Sequence, residues 1–289
     1  MKTCEPLLSL RLSIGYRDKP AVLREASFSV ERGEIVGLVG ESGSGKSSLA
    51  LAILRLLDLK GGMANGEIRF KGRDLASLPE GEMRAVRGRE IGLVPQSPGT
   101  SLNPALRLGT LLNETWLAHA NKGCADRRQS HFLDLLDSVS LPAEKSFLRR
   151  YPTQLSVGQA QRLLIAMAIL HRPPLLIADE PTSALDAVTQ TEILKLFARL
   201  NSGLNMAVLY ISHDLLSVSS LCHKVAILHE GEIVEFGSTE QIFRDPAHPY
   251  TRRLIDAIPK NPYAGDVAQI ASGEKVAAGK PWDRRLSLV

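Results

Sequence analysis

The sequence predicts an α/β protein organised around a mainly parallel sheet, and three observations carry that expectation. Residues 34–39 (EIVGLV) and 175–178 (LLIA) are nearly continuous apolar runs, the pattern of strands covered on both faces. Helical spacing follows each run, over residues 47–57 and 190–200. A glycine-rich turn, Gly40 to Ser47, joins the first run to its helix. Strands alternating with helices give a sheet wrapped on both sides.

The remaining elements follow in chain order. Residues 8–14 (LSLRLSI) alternate strictly between apolar and polar, so they form a half-buried strand, and residues 26–30 continue in the same manner. Residues 97–165 mix polar and apolar positions at helical spacing, notably over 106–118 and 128–139, and read as a helical insertion into the core. The core resumes at residues 175–178, with a further strand over 206–211. Residues 224–228 and 232–236 flank a His229-Glu230-Gly231 turn and form a hairpin. From Lys260 to Val289 all periodicity is lost, as in a loose tail, and no internal repeat is present.

Composition bounds the function classes. A chain of 289 residues with 44% hydrophobic and 23% charged residues can bury a sizeable core, which excludes wholesale disorder, collagen and coiled coil. The net charge of +4 is too small and too dispersed to indicate a nucleic-acid partner. Cys4, Cys124 and Cys222 lie far apart with no CxxC pair, which fits a reducing compartment and argues against a disulfide frame or a cysteine-ligated metal. No run approaches the length of a membrane span and no signal-peptide core follows the N-terminus, so a soluble cytoplasmic protein is expected.

Gly40-Glu41-Ser42-Gly43-Ser44-Gly45-Lys46-Ser47 matches GxxxxGK[ST] between a buried strand and a helix. Its glycines let backbone amides turn inward around phosphate, reinforced by the helix N-terminus. Lys46 brings a point charge to the β- and γ-phosphates, and the Ser47 hydroxyl can ligate Mg²⁺. Asp179 and Glu180 end the second apolar run, where ligands sit in parallel α/β sheets. There Asp179 can hold Mg²⁺ through water and Glu180 can polarise an attacking water. The same pair would also serve as an acidic helix cap, and the phosphate loop is what favours Mg²⁺-ATP hydrolysis. Leu155-Ser156-Val157-Gly158-Gln159 opens a helical run over 162–171 and is either a second anion site or an ordinary cap. His213, in Tyr210-Ile211-Ser212-His213-Asp214, ends a strand, a place where a lone histidine is usually structural.

In this order the elements resemble the ATP-binding cassette (ABC) family, over roughly residues 7–240. The resemblance implies a P-loop NTPase core with an N-terminal antiparallel β subdomain and the inserted helical subdomain at 97–165, together making one ABC ATPase domain over residues 1–258. It implies that Tyr16 stacks on adenine, that Gly40 to Ser47 with Ser48 form the Walker A site, and that Gln96 contacts Mg²⁺ and water. It further implies that Ser156, Gly158 and Gln159 belong to the ABC signature and that Asp179 and Glu180 are the Walker B pair. Ser183-Ala184-Leu185-Asp186 resembles the D-loop, and His213 the switch histidine at the γ-phosphate. Two cassettes would then sandwich ATP head to tail, each phosphate loop facing the other chain's signature.

One residue departs from the family pattern. Val157 stands where the first of two signature glycines is usual; it is harmless if it accepts a helical backbone, and impairing if its bulk crowds an amide meant for γ-phosphate. Arg244-Asp245-Pro246-Ala247-His248-Pro249-Tyr250-Thr251 resembles the C-terminal extension of importer ATPases for oligopeptides, dipeptides and nickel, spanning about 240–259, as does Ser101-Leu102-Asn103-Pro104. Residues 260–289 contain no cysteine, so no iron–sulfur site is expected there. The resemblance implies a second ABC ATPase subunit, identical or different, two membrane permeases and indirectly a periplasmic or extracellular solute-binding protein, at the cytoplasmic face of the membrane. A cassette serving soluble enzymes, as in carbon–phosphorus lyase machinery, and a DNA-repair or translation cassette are the rival readings. The last of these would require a basic face or long coiled-coil insertions.

Overall fold

The computed structural model describes residues 5–119 and 128–258. Strand β1 (Leu8–Tyr16) pairs antiparallel with β2 (Lys19–Val30). Strand β3 (Ile35–Gly40) then enters a different sheet, and the glycine turn leads into helix α1 (Lys46–Ile53). The chain returns along β4 (Gly62–Phe70), on the other side of β1, and β5 (Arg73–Asp74), then passes through α2 (Glu80–Val86) to β6 (Ile91–Val94). The first sheet is therefore antiparallel, in the order β2-β1-β4-β5.

Helices fill the interval between β6 and the next strand: α3 (Pro98–Ser101), α4 (Leu108–Leu117), α5 (Arg128–Ser138), α6 (Lys145–Leu148) and α7 (Val157–Ile169). Beyond them come β7 (Leu175–Asp179), α8 (Ala187–Leu204), β8 (Ala207–Ser212), α9 (Leu215–Leu221) and the hairpin β9 (Lys224–His229) and β10 (Glu232–Ser238). Helices α10 (Thr239–Arg244) and α11 (Pro249–Asp256) close the described chain. The second sheet runs β10-β9-β3-β8-β7-β6, parallel except for β10.

Strand side chains alternate between faces, and the two hydrophobic cores follow from that. Ile35 and Val39 of β3, Leu176 and Ala178 of β7, and Val208 and Tyr210 of β8 pack into one core with α4, α5, α7 and α8. Val36 and Leu38, Leu175 and Ile177, and Leu209 and Ile211 pack into the other, with α1 and the antiparallel sheet. Each fully buried Leu, Ile or Val contributes roughly 1.5–3 kcal/mol, so β3, with all six residues buried, is a firm base for the loop at its end.

Three differences from the sequence reading have local causes. The helix expected over 47–57 stops at Ile53, because Arg55 turns left-handed at φ 51° and the Leu56 amide donates back to the Leu51 carbonyl at 2.8 Å. The strands at 62–70 and 91–94 were not anticipated: β4 exposes five consecutive residues, and β6 has only four, so neither shows a clear period. Helix α8 extends three residues ahead of the expected start because Asp186 caps it, accepting the Thr189 amide at 3.0 Å.

Among the described residues, Cys222 is a buried free thiol whose pKa is pushed up by burial; Cys4 and Cys124 lie outside them, as does the expected loose tail. Among the described residues, no helix is long and apolar enough to cross a membrane.

Candidate active site

Several of the residues singled out from the sequence gather at the carboxyl ends of four adjacent parallel strands. Gly40 ends β3, Asp179 ends β7, Gln96 lies just past β6 and His213 just past β8. Since these strands neighbour one another as β3-β8-β7-β6, residues more than a hundred positions apart in sequence meet above one sheet edge.

The loop from Gly40 to Ser47 is closely packed at both ends. A side chain at Gly40 would place its Cβ 2.5 Å from the Leu228 carbonyl oxygen. At Gly45, φ is 104° and a Cβ would come within 2.8 Å of Val22, so only glycine fits both the backbone and the space. Lys46 begins α1 and is only 4% exposed, with its Nζ donating to the carbonyls of Gly40 and Glu41 at 2.8 Å each. Burial lowers its pKa, opposed by the negative charges of Glu180 and Asp179. Ser44 Oγ is buried in the loop without a hydrogen-bond partner among the described residues, an orphaned donor that an incoming phosphate oxygen would satisfy.

Ser47 Oγ donates to Asp179 Oδ1 at 3.0 Å. Asp179 is 9% exposed; burial raises its pKa, the Ser47 bond opposes this, and neighbouring Glu180 adds to it. A buried carboxylate beside a hydroxyl is a pair of hard oxygen donors of the kind that suits Mg²⁺, while Gln96 meets Glu180 through its Nε2.

Three groups converge on Glu180. Gln96 Nε2 donates to Oε2 at 3.0 Å, His213 Nδ1 lies 3.2 Å from the same oxygen, and Lys46 Nζ lies 3.9 Å from Oε1. Glu180 itself is held at φ 45°, left-handed for a non-glycine residue, and its amide donates to the Ile211 carbonyl at 2.9 Å. A side chain fixed in a sparsely populated backbone state and surrounded by donors is one whose direction the structure specifies. Tyr16 is half-buried, with its hydroxyl 2.8 Å from Ser48 Oγ at the start of α1.

The residues expected to form the signature line a recess of their own. Ser156 caps α7 by accepting the Gln159 amide at 3.2 Å, and the Gln159 side chain returns a bond to the Ser156 amide. Val157 is the first residue of α7 and is 51% exposed, so its backbone has the helical conformation and its side chain points outward. Ser156, Val157, Gly158 and Gln159 line a recess with residues 184–186 and with Thr189 of α8. Among the described residues no hydrogen bond or ion pair links this recess to the Glu180 cluster.

One participant escaped the sequence reading. Tyr250, 5% exposed on α11, donates its hydroxyl to Glu41 Oε1 in the glycine-rich loop at 3.2 Å. With the partners 209 positions apart in sequence, only the HPYT motif hinted at a role, and nothing in it named the loop.

Residues 23–183 match the family described as ABC transporter, and residues 234–281 match the oligopeptide/dipeptide transporter C-terminal region. The chain is 43% identical over 277 residues to the dipeptide transport ATP-binding protein DppD of Escherichia coli strain K12, covering 95% of this chain and 84% of that protein. It is also 43% identical over 252 residues to the glutathione import ATP-binding protein GsiA of Escherichia coli O157:H7, covering 84% of this chain and 40% of that protein. Among solved structures, the dimeric ATP-binding cassette MJ0796, in a post-hydrolysis state bound to ADP and Pi, aligns with a TM-score of 0.69 at 26% identity, over 80% of this chain and 98% of that one. The cbiO1 protein of Clostridium perfringens aligns with a TM-score of 0.71 at 23% identity, over 89% and 97%, a likeness of fold.

Proposed function

We propose, because this chain belongs to the ABC transporter family and carries the oligopeptide/dipeptide transporter C-terminal region, that its ATPase activity energises uptake of peptide-class solutes. The observation that carries the catalytic part is the convergence of Gln96, His213 and Lys46 on Glu180, beside the Ser47–Asp179 pair. In this reading ATP seats its phosphates in the loop from Gly40 to Ser47, and Lys46 exchanges its two carbonyl partners for phosphate oxygens. Ser47, Asp179 and Gln96 would hold Mg²⁺, which neutralises charge on the phosphates when bound. Glu180 accepts the proton of the attacking water, with Gln96 and His213 keeping its carboxylate aimed. His213 then stands beside the γ-phosphate, and Tyr16 beside the base.

The recess at Ser156, Gly158 and Gln159 shares no lining residue with this chain's own cluster, and it combines a capped helix N-terminus with open space. Such a place suits the phosphates of a second cassette's nucleotide. We therefore assign the working unit as a pair of cassettes, identical or different, seated under two permeases at the cytoplasmic face of the membrane. A solute-binding protein delivers the cargo on the far side. Likeness to DppD and GsiA supports the peptide class. The test is affinity purification of the tagged chain from detergent-solubilised membranes of its own host. Recovery with permease subunits is expected; recovery with soluble enzymes alone would overturn the importer assignment in favour of the lyase-type one.

A further inference from the structure

The C-terminal extension is anchored to the sheet through Glu235, and His248, Pro249 and Tyr250 each have a place in that anchoring. Glu235 of β10 accepts the amides of Ala247 and His248 at 2.8 and 3.0 Å. Burial pushes its carboxyl up, but these amides together with the neighbouring Thr251 and His248 side chains hold it below its ordinary range. His248 caps α11 through Nδ1, which accepts the Tyr250 amide at 3.2 Å, and Pro249 takes the first helical position, where no amide is needed. This anchoring presents Tyr250 to the end of the neighbouring hairpin strand. Its ring stacks on His229, the last residue of β9, with centroids 3.6 Å apart and planes 15° from parallel.

Strand β9 lies beside β3, with Leu228 opposite Gly40, so the ring rests directly beside the start of the phosphate loop. From there its hydroxyl reaches Glu41 Oε1. Glu41 is exposed, and its backbone carbonyl is one of the two that hold Lys46 Nζ. A Cβ at Gly43 would have nothing within 4 Å among the described residues, so the middle of the loop, between its packed ends, gains little support from packing.

We propose that Tyr250 is a positioning residue for the nucleotide: stacked on His229 and bonded to Glu41, it braces the first turn of the phosphate loop and so sets the position from which Lys46 engages phosphate. The inference rests on the nucleotide-binding reading of that loop. Burial, and secondarily the charge of Glu41, push the Tyr250 phenol up to about 12, so it remains a donor at every physiological pH. The brace links the extension to nucleotide affinity rather than to the chemical step, since among the described residues the contacts of Tyr250 are with His229, His248 and Glu41 and not with Glu180 or Asp179.

The experiment is a double-mutant cycle on the full chain with trinitrophenyl-ATP and Mg²⁺ as the fluorescent probe. Tyr250→Phe keeps the stack and removes the hydroxyl; Glu41→Ala, at an exposed position, removes the acceptor without disturbing packing. Each single variant is expected to weaken probe affinity about three- to tenfold. The double variant should be no weaker than the worse single, because both remove one interaction. In steady-state turnover the loss should fall on KM for ATP, with kcat changed less than about twofold. Wild-type affinity in the singles, or losses that multiply in the double, would overturn the brace. Failure of the wild-type chain itself to bind the probe would overturn the nucleotide reading and the brace together.

Discussion

Replacing Glu180 by glutamine keeps the shape of the side chain and removes its charge and basicity. Gln96 Nε2 and His213 lie at 3.0 and 3.2 Å from Oε2 and can still meet an amide oxygen there, so the local hydrogen-bond frame survives. The lysine relation changes more. At the 3.9 Å separation of Lys46 Nζ and Glu180 Oε1, unit charges attract by about 4 kcal/mol at an effective dielectric near 20, before desolvation is subtracted. Losing that attraction frees Lys46 for phosphate and removes a negative charge facing the triphosphate, so nucleotide should bind at least as tightly as in the wild type. Loss of a positioned general base costs about 10²–10⁴ in rate. The assay is phosphate release at saturating Mg²⁺-ATP, with nucleotide-dependent pairing followed by light scattering. Expected are a fall of at least about a hundredfold in turnover and a persistent ATP-bound pair. Turnover at the wild-type rate would refute Glu180 as the base, and weakened nucleotide binding would refute the electrostatic argument.

Two further outcomes follow from burial and backbone geometry. Val157→Gly should leave turnover within about twofold and cost less than about 1 kcal/mol in thermal unfolding, because Val157 already has a helical backbone and an exposed side chain; a large gain in turnover would show that its bulk crowds a nucleotide. Asp179 has a raised pKa in the folded chain, so the stability it contributes is present below the ordinary value of 3.8 and is lost as pH rises through the elevated one. Asp179→Asn should therefore flatten that part of the melting temperature's pH dependence in nucleotide-free protein and match or exceed wild-type stability at neutral pH, while abolishing the stabilisation that Mg²⁺-ATP provides. A variant less stable than wild type at neutral pH would contradict the sign.

The strands legible as apolar runs are those where burial is total, whereas β1 was legible from its alternation. Strands β3, β7 and β8 are buried at every position, so their residues read as apolar runs whatever their neighbours. Strand β4 was hidden because it runs past β1 with five consecutive exposed residues and gains its place from backbone pairing, Tyr16 opposite Gly62 through Leu8 opposite Phe70. The end of α1 was hidden for another reason: residues 54–57 keep apolar character because Leu54 and Leu57 are buried by the surrounding core, not because the helix continues. Apolar spacing alone cannot separate those two cases.

The same distinction governs the site. Lys46, Ser47, Asp179 and Glu180 were visible because each sits immediately after a buried strand or at the start of the following helix, and a parallel sheet brings such ends together. Their short-range motifs carry the spatial information because the strand in between is rigid. Gln96 and His213 carry no such motif of their own; each is a single polar residue past a strand, and only the order of β8, β7 and β6 across the sheet puts both on one oxygen of Glu180. Tyr250 is a step further removed. Its approach to Glu41 needs β9 beside β3, the β10 carboxylate that anchors the Ala247 and His248 amides, and a helix capped by His248, three conditions set by different elements. A contact that depends on several independent placements leaves no local trace, and it is for that reason the contact where substitution at a distance should alter nucleotide affinity without altering any residue of the loop.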